Sequence, residues 1–193
     1  MDTRISHGLE QFCAALHDRP GMTILDLAGA NQHTISFITN LGHRIYSDDL
    51  LMQLDRFFGD GDFYANQTNH HRVTQFLEHA LDFPDNNFDG VLLWDTLAFL
   101  EPAMLDTVIR HLLRIVKPDS FLFALFPAQE RPHPVNSYNY RVQDQKTILM
   151  TARGQRVPSQ PFNNRGLERL FQDFASVKFF LTRDHLREVI VRR

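Results

Sequence analysis

The chain has 193 residues, 43% of them hydrophobic, so it is long enough for one domain with a buried core and short for two. Its formal net charge is −3 and its lysines and arginines are scattered, which argues against a nucleic-acid partner. The lone cysteine, Cys13, excludes an internal disulfide and a multi-cysteine zinc site.

The amino-terminal part of the chain alternates helical and extended patterns. Residues 5–17 place apolar side chains at three- and four-residue spacings, which predicts an amphipathic helix that ends at Arg19-Pro20-Gly21. The next predicted elements are a strand at 22–27, a helix at 34–41, a strand at 44–48 and a helix at 49–58. The polar residues 59–69 then predict a loop, and residues 74–77 predict a weak strand.

The alternation continues with more strongly apolar strands. Residues 88–94 form an apolar run that is typical of a strand buried on both faces. A helix is predicted from Pro102, a residue favoured in the first helical turn, to residue 117. The remaining predicted elements are a strand at 120–126, a helix at 164–174 and strands at 177–181 and 188–191. Strands and helices in this order indicate a doubly wound α/β fold with a mainly parallel sheet.

Residues 127–161 interrupt this pattern. Pro132, Pro134 and Asn136 favour a loop, and residues 140–153 are compatible with a hairpin that turns near 143–145. We therefore expect residues 1–193 to form a single domain. Its two additions are an N-terminal helical segment within 1–21 and an insertion at 127–161 over the cleft.

Small residues follow the first predicted strand, in the run Asp26-Leu27-Ala28-Gly29-Ala30-Asn31. In an open parallel sheet, ligands bind outside the carboxyl ends of the strands, where the strand order reverses. Small residues there let a ligand approach the backbone and the start of the next helix. A second acid, Asp49, lies 23 residues beyond Asp26, directly after the second strand.

This arrangement resembles the class I S-adenosylmethionine-dependent methyltransferases. The resemblance covers roughly residues 22–126. It includes residues 83–89, similar to the family's approach to strand four, residues 93–97, which follow, and residues 117–120, similar to its turn into strand five. It implies a Rossmann-like, mainly parallel seven-stranded sheet with an antiparallel last strand, and S-adenosylmethionine as the cofactor.

The resemblance also implies a set of cofactor-binding residues. Asp26 matches the acid of the family's first motif, and Asp49, with Asp48 as the adjacent alternative, matches the acid that holds the ribose hydroxyls. Glu78 is the nearest candidate for a contact with the adenine amino group, and Trp94 and Asp95 would flank the methyl donor. The implied set is Asp26, Ala28, Gly29, Ala30, Asp49, Glu78, Trp94 and Asp95.

The turn after the first strand departs from the family's pattern. Where the family is similar to Gly-x-Gly-x-Gly, this chain has Ala28, Ala30 and Gln32 and keeps glycine only at position 29. The sequence is therefore consistent with two functions. One is a methyltransferase acting on a small molecule, and the other is a catalytically silent methyltransferase-like binding or assembly module. A nicotinamide-dependent oxidoreductase is disfavoured because both Gly-x-Gly-x-x-Gly and Tyr-x-x-x-Lys are missing from the expected positions.

Methyl transfer needs a general base only where the acceptor must lose a proton. His133 and Tyr138, in the long loop after the fifth strand, are the catalytic candidates, and Tyr140, His70 and His71 stay open as alternatives. The fourth strand is followed by Trp94-Asp95-Thr96-Leu97 instead of Asn/Asp-Pro-Pro-aromatic, which disfavours methylation of a base or amide nitrogen. The histidines show no metal-binding spacing, so no metal is expected.

The expected location is the cytoplasm. The N-terminus lacks a basic and then apolar secretory signal, and no apolar run approaches the ~18 residues of a membrane span. We therefore expect a soluble protein whose partner is a small-molecule substrate, without a membrane or nucleic-acid partner. The sequence leaves the oligomeric state open.

Overall fold

The computed structural model describes residues 2–182, 184 and 186–193. The helices are α1 His7–His17, α2 Gln32–Asn40, α3 Leu50–Phe58, α4 Phe63–Asn66, α5 His70–Ala80, α6 Pro102–Ile115 and α7 Asn164–Leu170, with a 3₁₀ helix at Thr96–Phe99. The strands are β1 Asp2–Ile5, β2 Thr23–Asp26, β3 Arg44–Ser47, β4 Phe88–Trp94, β5 Val116–Pro127, β6 Val135–Val142, β7 Thr147–Arg156, β8 Ser176–Leu181 and β9 Leu186–Arg192. Within the described residues, no helix has the length and apolar character needed to cross a bilayer.

The central sheet has the strand order β3-β2-β4-β5-β9-β8. Strands β3, β2, β4 and β5 are parallel, β9 runs antiparallel to β5, and β8 runs antiparallel to β9. The predicted Rossmann-like α/β class, with a mainly parallel sheet and an antiparallel last strand, is confirmed.

The central sheet differs from the prediction in its number of strands. Among the described residues it has six strands instead of seven, because residues 74–77 lie inside α5. Asn69 caps this helix by accepting a hydrogen bond from the Arg72 N–H at 3.2 Å, and Phe76 and Ala80, four residues apart, are buried. Strand β3 is consequently an edge strand, and Tyr46 on it is 52% exposed.

A second, antiparallel sheet has the order β1-β7-β6. Residues 2–5 pair with β7 instead of starting the N-terminal helix, which begins only after Ser6 caps it by accepting from the Leu9 N–H at 3.0 Å. Strands β6 and β7 form a hairpin that turns at residues 143–146. The Val142 N–H donates to the Thr34 hydroxyl on α2 at 3.0 Å, which ties the hairpin to the main domain.

The hairpin also shares a hydrophobic cluster with the central sheet. On one face of the sheet, side chains from α1, β2, β4 and the hairpin pack together, among them Phe12, Ile24, Trp94, Tyr140 and Ile148. The opposite face packs against α3, α5, α6 and α7. The hairpin therefore contributes to the protein's core, and its side chains reach the carboxyl end of β4.

A buried ion pair joins β1 to β9. Arg4 Nη2 lies 3.1 Å from Glu188 Oε1, and the two side chains are 7% and 0% exposed. The Gly8 N–H donates to Glu188 Oε2 at 2.6 Å, and Arg4 Nη2 also donates to the Thr182 hydroxyl at 2.9 Å. These hydrogen bonds supply the partners that a buried carboxylate requires.

Candidate functional site

The candidate site lies where the strand order of the central sheet reverses. Strand β2 pairs with β3 on one side and with β4 on the other, so the crossover connections diverge at its carboxyl end. The turn at residues 27–31 leads from β2 into α2, and Asn31 caps that helix by accepting from the Thr34 N–H at 2.9 Å. Ligand-binding chemistry is expected at this turn and at the end of β4.

One glycine is enough to build this turn. Gly29 has a φ of +88°, whereas the non-glycine residues with positive φ in the described chain are Asn86, Trp94 and Asp119. Ala28 and Ala30 thus occupy positions that an ordinary residue adopts without strain. The glycines that the family pattern would add here are not required by the backbone.

Asp26 is fully buried beneath the turn. Its Oδ1 accepts hydrogen bonds from the Ala28 N–H at 3.1 Å and from Trp94 Nε1 at 2.7 Å. Its Oδ2 is buried and lacks a hydrogen-bond partner among the described residues. Burial raises the pKa of Asp26 to about 6, although both hydrogen bonds oppose that rise and the nearby Asp49 adds to it.

Trp94, at the end of β4, packs against two aromatic rings. Its ring stacks on Tyr140 with a centroid separation of 4.9 Å and an interplanar angle of 2°, and it meets Phe123 edge-on at 5.7 Å. The Tyr140 hydroxyl in turn donates to Asp95 Oδ2 at 3.0 Å. Burial raises the pKa of Asp95 to about 7, against the lowering effect of this hydrogen bond.

Asp49 connects the edge of the turn to the hairpin. Its Oδ1 caps α3 by accepting from the Met52 N–H at 2.9 Å. Arg153 Nη1, on β7, lies 2.8 Å from Oδ1 and 2.9 Å from Oδ2, and both side chains are about one-fifth exposed, 20% for Arg153 and 18% for Asp49. The carboxylate is thus paired with a cation while it still borders open space.

Two cavities adjoin these residues. The turn cavity, of about 290 Å³, is lined by Ala28, Gly29, Ala30, Asn31, Asp49, Asn139, Tyr140 and Arg141. The apolar cavity, of about 500 Å³, is lined by Asp95, Phe99, Pro127, Ala128, Gln129, His133, Val135, Asn136, Tyr138, Tyr140, Asp184 and Leu186. Tyr140 lines both, so the two cavities meet the same position of β6.

The predicted site residues fall into three groups. Ala28, Gly29, Ala30 and Asp49 line the turn cavity, while Asp95, His133 and Tyr138 line the apolar cavity. Asp26 and Trp94 lie buried in the protein between the turn and the end of β4.

Glu78 is not brought to this site. It is exposed on α5, where it borders a separate surface depression with His111 and Arg114, because the segment expected to form the third strand is helical. Sequence reasoning also missed Arg153. Its ion-pair partner is 104 residues away, and an isolated arginine on a strand gives no local signal.

Comparisons with known structures agree with this fold. The chain is similar to the Burkholderia thailandensis 1,6-didemethyltoxoflavin-N1-methyltransferase, whose structure holds 1,6-didemethyltoxoflavin and S-adenosylhomocysteine, at a TM-score of 0.52 and 14% identity, covering 97% of this chain and 79% of that one. It is also similar to a methyltransferase from Methanosarcina mazei described as S-adenosylmethionine-dependent, at a TM-score of 0.51 and 14% identity, covering 91% and 93%. At such identities the likeness shows the fold alone, a Rossmann-like α/β fold that this chain shares with these methyltransferases.

Comparisons at the sequence level return nothing. No protein-family model matches the chain, and no curated protein matches it.

Proposed function

We propose that this protein is an S-adenosylmethionine-dependent methyltransferase that acts on a small molecule. The observation that carries the proposal is the pair of cavities that share Tyr140 as a lining residue, both at the carboxyl edge of the parallel strands. The turn cavity is bordered by the Asp49 carboxylate and the turn from β2 to α2, and the apolar cavity is lined mainly by apolar surface. A transferase needs two such adjoining compartments, one for the donor and one for the acceptor.

The turn cavity suits the nucleoside part of the cofactor. Asp49 offers carboxylate oxygens to ribose hydroxyls, and Ala28, Gly29, Ala30 and Asn139 line the same space. Its volume of about 290 Å³ is just below the range of about 300–1,000 Å³ that is typical of ligand pockets. The residues present fit a nucleoside, and the cofactor, when bound, would supply a sulfonium methyl group.

The apolar cavity suits the acceptor. Phe99, Pro127 and Leu186 give it apolar walls, and His133 and Tyr138 remain candidates for a general base because both line it. The Burkholderia thailandensis neighbour, with its bound small molecule, supports an acceptor of this size class.

Calorimetric titration tests this function directly. The protein is titrated with S-adenosylmethionine and with S-adenosylhomocysteine at concentrations up to the millimolar range. Binding of either is expected, because the turn cavity carries the nucleoside-binding groups. If neither binds, the methyltransferase proposal is rejected.

Two contacts favour a second function, that of a catalytically silent binding module. Arg153 forms an ion pair with the Asp49 carboxylate, and Tyr140, which lines both cavities, is stacked on Trp94. Such a module would bind a ligand in the apolar cavity while binding neither cofactor species. Calorimetric titration with a small aromatic ligand, beside the two cofactor titrations, distinguishes the two functions. A silent module binds the aromatic ligand and neither cofactor species, whereas a methyltransferase also binds a cofactor species.

The ion pair at Asp49 leads to a testable prediction. Replacing Arg153 with glutamine frees the Asp49 carboxylate for ribose hydroxyls, so the affinity for S-adenosylhomocysteine is expected to rise about fivefold, the equivalent of one partly exposed ion pair. Calorimetry on the variant and the parent protein measures the change.

Arg156→Gln is the matched control. Arg156 lies on the same strand and pairs with Asp55 at 2.5 Å, outside the turn cavity. Its loss is expected to leave the affinity unchanged. An equal change in both variants would mean that the effect comes from loosening the hairpin and not from freeing Asp49.

A further inference from the structure

The apolar cavity contains a buried carboxylate. Asp95 is only 5% exposed, and it lines this cavity together with Phe99, Pro127 and Leu186. A buried carboxylate needs hydrogen-bond donors, and the apolar side chains Phe99, Pro127 and Leu186 supply none, so the Tyr140 hydroxyl is the side-chain donor that Asp95 has among the described residues. A ligand that fills this cavity is therefore favoured if it brings a donor to Asp95.

The backbone and its neighbours hold Asp95 in place. It follows Trp94 directly, and the Tyr140 hydroxyl donates to its Oδ2 at 3.0 Å, with the Tyr140 ring fixed by stacking on Trp94. Asp26 differs because its Oδ1 already accepts two hydrogen bonds and it lines neither of the two cavities. Asp95 is thus the carboxylate that a ligand in the apolar cavity can reach.

Other titratable or charged groups on several elements line the same cavity as Asp95 or act on its pKa. They are Tyr138 and Tyr140 on β6, Arg153 and Arg156 on β7, His133 in the segment between β5 and β6, and Asp184 between β8 and β9. The two arginines lower the pKa of Asp95, but burial outweighs them and leaves it at about 7. A group with a pKa near the working pH is well matched to proton transfer.

We propose that Asp95 is the general base of the methyl transfer, and that the acceptor is an apolar, ring-bearing molecule whose reacting atom is a hydroxyl oxygen of the phenol type. This inference rests on the proposed function. A bond forms between the acceptor oxygen and the methyl carbon, while the bond from that carbon to the sulfonium sulfur breaks and leaves its electron pair on sulfur. The proton of the hydroxyl passes to the Asp95 carboxylate.

Binding of p-cresol, a neutral phenol, tests the inference without turnover. Calorimetry or NMR titration from pH 5.5 to 8.5 gives its dissociation constant on the parent protein. The affinity is expected to rise about tenfold as Asp95 ionises near pH 7, because a hydroxyl binds a carboxylate more strongly than a neutral acid. Asp95→Asn is expected to bind p-cresol with a weak, pH-independent affinity.

Two further variants make the test specific. His133→Gln removes the histidine that lines the same cavity and is expected to keep the pH dependence. Tyr140→Phe removes the donor that lowers the pKa of Asp95, so the midpoint is expected to move to higher pH even if Asp95→Asn fails to fold.

Several results would overturn the inference. The first is a pH dependence of p-cresol affinity that persists in Asp95→Asn or disappears in His133→Gln. The second is a midpoint of that pH dependence that Tyr140→Phe leaves unchanged. The third is the absence of p-cresol binding at millimolar concentration. The separate titration with S-adenosylhomocysteine reports on the proposed function, so the failure of one is distinguishable from the failure of the other.

Discussion

Replacing Arg4 with methionine is expected to lower the free energy of unfolding by about 3–5 kcal/mol, because it leaves a buried carboxylate without its cation. Glu188 is fully buried, and among the described residues the donor that it would retain is the Gly8 N–H. Urea unfolding followed by circular dichroism measures the difference. A loss below about 1 kcal/mol, which is typical of exposed ion pairs, would contradict this account of the pair.

The matched control for Arg4→Met is Arg192→Met. Arg192 pairs with Asp119 at 2.6 Å, but the two side chains are 50% and 52% exposed. The expected loss is much smaller than in Arg4→Met, since solvent screens such pairs. A double variant, Arg4→Met with Glu188→Leu, removes both charges and is expected to recover much of the stability lost in Arg4→Met.

Trp94→Ala is the second substitution with a large expected effect. It removes a fully buried ring that packs on Tyr140 and Phe123, and cavities of this kind cost about 3–5 kcal/mol. It also removes the 2.7 Å hydrogen bond to Asp26, whose other oxygen already lacks a partner within the described residues. The variant therefore weakens both the packing and the support of a buried acid.

The pH dependence of the free energy of unfolding separates the lost packing from the lost hydrogen bond to Asp26. The pKa of Asp26 is raised from 3.8 in the unfolded chain to about 6 in the folded protein, so the folded state disfavours the ionised form. Its contribution to stability is fully present below about pH 4 and is lost as the pH rises through about 6. Without the Trp94 donor this loss grows, so Trp94→Ala is expected to cost more at pH 8 than at pH 5.

Urea unfolding of four proteins at both pH values measures this effect. They are the parent, Trp94→Ala, Asp26→Asn and the double variant. In the Asp26→Asn background the cost of Trp94→Ala is expected to be the same at pH 5 and pH 8. If the extra cost at pH 8 persists there, the Asp26 carboxylate is not its source.

The central elements could be predicted because their signals are local. The apolar runs of β2, β4 and β5 and the helical spacing in α6 each lie within one short stretch of chain, so periodicity identifies them. The prediction of a strand at 74–77 is wrong because it also rests on a local signal, and a short apolar run is compatible with either a strand or a helix. Only the cap at Asn69 and the packing of Phe76 decide for the helix.

What the sequence by itself determined is the α/β class, the order of the main strands, and the position of Asp26, Gly29 and Asp49 at one edge of the sheet. These follow from hydrophobic periodicity and from the rule that the carboxyl ends of parallel strands share an edge.

What only the tertiary structure decided is which groups meet these residues. Arg153 reaches Asp49 across 104 residues, and Tyr140 stacks on Trp94, because the hairpin folds back onto the edge of the sheet. Contacts between elements distant in the chain depend on three-dimensional packing and have no periodic signature in the sequence.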